Sequence, residues 1–126
     1  MRKLPKKSPQ TLDEAVQVIL GRLSAKDRLY IQLTKDWAPT AHFELGMRLR
    51  NHWGFWKKEP AHLRLWFAKN LKVAHPDDMS GTILSAVEAA VKGKSFNPKR
   101  HVSRYRKHWK KYGQDPLVGD SGPIKP

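Results

Sequence analysis

An all-α fold is predicted: a small orthogonal bundle of about five helices followed by a basic C-terminal helix. Three observations predict it. Apolar residues recur at spacings of three and four along most of the chain. Most of these runs open on a helix start signal, either a polar cap with an acid soon after or a proline in the first turn. No run alternates polar and apolar residues in the manner of a half-buried strand.

Residues 1–10 carry four cations and two prolines and are expected to be a disordered basic arm. Thr11-Leu12-Asp13-Glu14 forms a capping box, and Leu12, Ala15, Val16, Ile19 and Leu23 continue at helical spacing, which predicts a helix over 12–23. Ser24-Ala25-Lys26-Asp27 repeats the signal and predicts a second helix over 25–34. Asp36-Trp37-Ala38-Pro39 opens a third that runs to about Asn51, because first-turn amides need no intrahelical acceptor and proline is tolerated there. Trp53-Gly54-Phe55-Trp56 reads as an aromatic turn held by its glycine. Glu59-Pro60 starts a fourth helix through Leu71, and His75-Pro76-Asp77-Asp78 starts a fifth that ends at Gly93, its acids suiting the positive end of a helix. Pro98 opens the basic helix over 98–112, and residues 114–126, with three prolines, are expected to be a flexible tail.

Composition bounds the function. The chain has 126 residues, a length that fits one domain of about 11–93, the basic helix in 94–113, and the tails. Five tryptophans allow a small core to bury a large area. The absence of cysteine excludes disulfides and cysteine-ligated zinc. The basic N-terminus lacks the apolar run of a signal peptide, and no stretch is apolar enough to span a membrane, so a cytoplasmic address is expected. The formal charge of +14 points to a polyanionic partner. That excess is concentrated: residues 1–10 hold +4, 53–73 hold +4 and 97–113 hold +7.

The last block is the most informative. Lys99, Arg100, Arg104, Arg106, Lys107, Lys110 and Lys111 lie within fifteen residues without one acid. Such a density on about four turns of helix repels itself unless an anion or salt screens it. These seven are the expected phosphate contacts, with the arm 1–10 and Lys57, Lys58, Arg64, Lys69 and Lys72 in support. Val102, Tyr105, Trp109 and Tyr112 would stack on one face of the helix. That face suits docking on the domain; stacking on bases is the alternative.

A second constellation is Arg48, Asn51, Trp53 and Trp56 with His75, Asp77 and Asp78. The first four read as a pocket for a carboxylate or phosphate, or as helix end and core; the last three read as a helix cap with dipole partners, the alternative being metal ligation or acid–base work. Arg48 or Arg50 is placed to pair with Asp77 or Asp78. No Gly-rich phosphate loop, nucleophile elbow or His-Glu-x-x-His occurs, so no catalytic residue, metal or cofactor is expected. Leu45-Gly46-Met47-Arg48-Leu49-Arg50-Asn51-His52-Trp53-Gly54-Phe55-Trp56, with His75-Pro76-Asp77-Asp78-Met79-Ser80 and Thr11-Leu12-Asp13-Glu14-Ala15, resembles a bacterial family known only as a domain of unknown function, over about residues 11–93. The resemblance implies a compact helical domain and no settled activity. The strong basicity and the helix over 98–112 depart from that family's pattern. Two functions are therefore expected in order: a helical module contacting DNA or RNA through phosphates, and an inhibitor or adaptor gripping an acidic protein.

Overall fold

The computed structural model describes residues 1–119, all of whose regular elements are helical. They are α1 (Leu12–Arg22), α2 (Ala25–Leu33), α3 (Trp37–Ala41), a π-helical segment (His42–Gly46), α4 (Met47–His52), α5 (His62–Leu71), α6 (Pro76–Val91) and α7 (Pro98–Lys111). Among the described residues, no helix is long and apolar enough to cross a membrane.

The second start signal acts as expected and the first in half, since Glu14 accepts from the Gln10 amide and not from that of Thr11. Thr11 accepts from the Glu14 amide, and Ser24 and Asp27 cap each other's backbone reciprocally. α3 is capped differently. Asp36 gives it no side-chain bond; the Glu88 carboxylate of α6 instead accepts from the Trp37 and Ala38 amides at 3.0 and 3.1 Å. The third predicted helix is not uniform either. Between α3 and α4 the ladder widens to a π segment ending at the buried Gly46. A Cβ at Gly46 would lie 3.0 Å from Arg50 Nη1, so the close approach explains the glycine. α5 begins at His62 rather than at Pro60.

α6 is the central element and packs against every other helix. Met79, Ile83, Leu84 and Val87 of α6 are fully buried with Ile19, Ile31, Leu49, Phe55, Leu63 and Phe67. Burying each such side chain contributes roughly 1.5–3 kcal/mol. α2 joins this core through Ile31 alone and leaves Leu29, Tyr30 and Leu33 in solvent.

Two terminal segments depart from expectation. Residues 1–10 do not form a free arm. The Met1 amine sits 3.0 Å from Asp27, Arg2 donates from its backbone and side chain to the Arg22 and Gly21 carbonyls, and Leu4 packs on the core. The open carbonyls at the end of α1 attract the cation. Residues 114–119 also fold back: the Pro116 carbonyl accepts from the Ala74 amide, and the Asp115 carbonyl accepts from the Val118 and Gly119 amides. The remainder of the predicted flexible tail lies outside the described residues.

Gly81 lets α7 approach α6 closely, since a Cβ there would lie 2.7 Å from the Tyr105 hydroxyl. A glycine-to-alanine change inside a helix ordinarily stabilises by up to about 1 kcal/mol. Gly81→Ala is expected instead to destabilise by about 1–3 kcal/mol in urea unfolding. Most of that loss should be recovered in Gly81→Ala/Tyr105→Phe, because the second change removes the obstructing oxygen. Additive losses in the double variant would contradict the contact.

Candidate nucleic-acid interface

α7 is capped by Asn97, whose side chain accepts from the Arg100 amide, and opens on Pro98. Three residues of the predicted stripe dock it. Val102 is fully buried, and Tyr105 and Trp109 are half-buried. Trp109 Nε1 donates to Asp78 Oδ2 at 2.7 Å, and its ring lies 5.1 Å from that of His75. The Tyr105 hydroxyl pairs with His101 at 3.1 Å. Tyr112, the fourth member, is 64% exposed and does not dock.

The outer faces are cationic. Lys99, Arg100, Arg104, Lys107, Lys110 and Lys111 are all exposed, and among the described residues none of them forms an ion pair. Arg106 is the exception among the seven predicted contacts. It lies at the edge of the docked face, half-buried, with an enclosed Nε that has no hydrogen-bond partner among the described residues. His101 adds no charge near neutrality: burial, then the neighbouring Arg104, lowers its pKa to about 4.

The second basic block is only partly what the sequence suggested. Lys57 and Lys58 are exposed, as are Lys69 and Lys72. Arg64 is not available. It is 4% exposed and donates to the Ala74 carbonyl at 2.9 Å and the Phe55 carbonyl at 3.4 Å, holding the turn after α4 to the end of α5. Trp56 meets His75 edge-on at 5.4 Å, on the histidine that also meets Trp109. This shared contact brings the Lys57–Lys58 turn to the C-terminal half of α7.

The residues predicted to form one pocket are divided between two places. Arg48 and Asn51 line a shallow cleft with Lys3, Leu4 and His52, remote in contact from the His75–Asp78 turn. Arg50, not Arg48, pairs with Asp77, Nε to Oδ1 at 3.4 Å, and donates to Ser80 Oγ at 2.8 Å. Trp53 is buried in the core as expected, whereas Trp56 is 49% exposed. His75 caps α6 by accepting from the Asp77 amide at 3.1 Å. Sequence reasoning missed His42. It lies in the π segment and, with Asp77, Gly81, Arg104 and Tyr105, lines a cleft of about 410 Å³ between α6 and α7. Burial and Arg50 lower its pKa, against the opposing pull of Asp77. His42 reaches the cleft from the π segment, and no spacing in the sequence announces that register. Among the described residues, no group of three or more His, Asp or Glu side chains is arranged to hold a metal ion.

Asp78 is 7% exposed, and burial raises its pKa above the usual aspartate value, against the pull of the Trp109 hydrogen bond and of His75. A raised carboxyl pKa disfavours the folded state at neutral pH, and the penalty fades as pH falls through the raised value toward about 3.9. Asp78→Asn keeps an oxygen for Trp109 and removes the charge. It should match or exceed the parent in urea unfolding at pH 7, with the gain shrinking toward about pH 4. Asp78→Ala, which leaves the indole N–H without its acceptor, should lose about 1–3 kcal/mol at both pH values.

What this surface can do chemically is neutralise phosphates or carboxylates over an extended line. The comparisons with known proteins agree on the helical domain and stop short of the cations. No curated protein and no solved structure matches the chain significantly. One family matches residues 8–90, a span that contains the His75–Asp78 turn and ends before α7. The chain belongs to that family, described as Domain of unknown function (DUF6794).

Proposed function

We propose that this protein is a small cytoplasmic binding module, not an enzyme, that contacts nucleic acid through its phosphates. α7 is the principal contact, with Lys57 and Lys58 beside it. One observation carries the reading: six exposed cations on α7 have no carboxylate paired with them among the described residues. An ordinary solvated helix mixes signs at spacings of three and four, because like charges there are destabilising. A protein that keeps this repulsion gains from an anion that relieves it. Phosphates satisfy Lys and Arg and release condensed counterions, which adds a favourable term for each contact.

A second reading, a module that grips an acidic protein, draws on the exposed Leu29, Tyr30 and Leu33 of α2. Three large apolar side chains on one short helix are more than scattered exposure requires. They lie on α2, which packs on α6 and shares no extensive contact with α7, so they do not compete with the first reading.

The test is anisotropy of a labelled mixed-sequence oligonucleotide about 20 units long, over a salt series. For roughly four phosphate contacts, affinity should fall about a hundredfold between 50 and 200 mM salt. Lys107→Gln/Lys111→Gln should weaken binding at low salt, with an unfolding midpoint equal to or above the parent's. A flat salt response, or no binding at micromolar protein, would count against phosphate contact. A stoichiometric acidic protein recovered in place of nucleic acid would favour the second reading.

A further inference from the structure

The orientation of α7 separates two kinds of nucleic acid that the charge alone does not. At about 100° per residue, Arg100, Arg104, Lys107 and Lys111 fall within roughly 60° of arc. That arc lies opposite Val102, Tyr105 and Trp109, the side on which the helix docks. Lys99 and Lys110 lie beside it, both on the side away from Tyr112. The stripe extends about 16 Å along a rigid helix. Of its rings, Tyr105 and Trp109 are occupied in docking, and the exposed Tyr112 and His108 pack on each other beside the last turn, where Lys111 Nζ lies 5.8 Å from the Tyr112 ring centroid.

We infer that the partner is double-stranded nucleic acid, held along its backbone by the Arg100–Arg104–Lys107–Lys111 stripe without base stacking. This rests on the phosphate-binding reading above. Single-strand binders combine a basic groove with aromatic platforms on which successive bases stack. Here no succession of rings runs along the stripe: the exposed Tyr112 and His108 border only its C-terminal end, and of its four cations Arg104 also lines the cleft with His42 and Phe43. A duplex presents about one phosphate charge per 1.7 Å of axis, so about 16 Å of axis offers five phosphates on each strand. A straight line of cations meets that stiff line of charge without ordering the partner. A flexible single strand would lose conformational freedom to lie along the same line. Contacts of this kind carry affinity and no base information, so binding is expected to be indifferent to sequence.

Equal-length oligonucleotides distinguish these outcomes: duplex DNA, duplex RNA and the component single strands, each titrated with the full chain by anisotropy at several salt concentrations. The expected result is at least tenfold tighter binding to one or both duplexes than to either strand. The log–log salt slope on duplex DNA should be about −4, falling in magnitude by about 0.9 for each of Arg100→Gln and Lys107→Gln. Tyr112→Ala should change affinity less than twofold on any probe. Single strands bound as tightly as duplexes, or a loss above fivefold for Tyr112→Ala, would overturn the duplex inference while leaving phosphate binding intact. No binding of any probe at 50 mM salt would overturn both. Far-ultraviolet circular dichroism of each variant shows whether α7 is retained, and Tyr112, already in solvent, leaves the docking contacts untouched.

Discussion

The seating of α7 on the N-terminal half of α6 is the constraint on which the rest depends. A fourteen-residue helix is marginal alone, and one carrying seven cations and no acid is worse than marginal. Docking is what offsets that repulsion. Val102 contributes buried apolar area, Tyr105 closes over Gly81, and Trp109 adds a hydrogen bond to Asp78 and a ring contact to His75. The same three residues set the rotation of the helix about its axis. Because they lie on one side, the cations of the other side have no choice but to face solvent.

The His75–Asp78 turn serves this seat more than it resembles a catalytic group. Its three polar side chains point different ways, as first-turn residues must. His75 caps α6 and lies between Trp56 and Trp109; Asp77 pairs with Arg50; Asp78 accepts from Trp109. Each has a partner that accounts for it in structural terms. The buried Asp78 is the least comfortable of them, since its carboxylate is desolvated and only one hydrogen bond from a side chain compensates. Its position at the positive end of a helix helps to keep the charge tolerable.

The helical class and most helix starts were legible because they depend on local chemistry: caps, prolines and apolar period. The docking of α7 by Tyr105 and Trp109 was legible for the same reason, as a stripe at helical spacing. What was hidden depends on which residues meet across the fold. Arg64 and Arg106 look like any surface cation in sequence, yet the first holds two buried carbonyls and the second lies at the edge of the seat. Arg48 and Arg50 are two residues apart, so they face different sides of α4, and the pattern alone left open which would reach Asp77. The π segment was unreadable because it needs only one residue's worth of slack in the ladder. The basic arm was misread because its composition matches disorder, while its anchors are carbonyls at the end of α1 that any sequence would supply.

The division of labour between the two parts of the chain also bears on how they would respond to an anion. The family-matched segment, residues 8–90, contains the seat on α6; the cations of α7 lie wholly beyond it. Charge repulsion within α7 opposes its folding, and docking opposes that repulsion, so the two terms meet in one helix. A polyanion lying along the outer stripe would remove the repulsion without touching the seat. By linkage, such a ligand binds the docked helix better than the frayed one and stabilises it in proportion to its own occupancy. Folding of α7 and capture of a polyanion are then two expressions of one equilibrium, and the aromatic side of the helix determines how well the cationic side is presented.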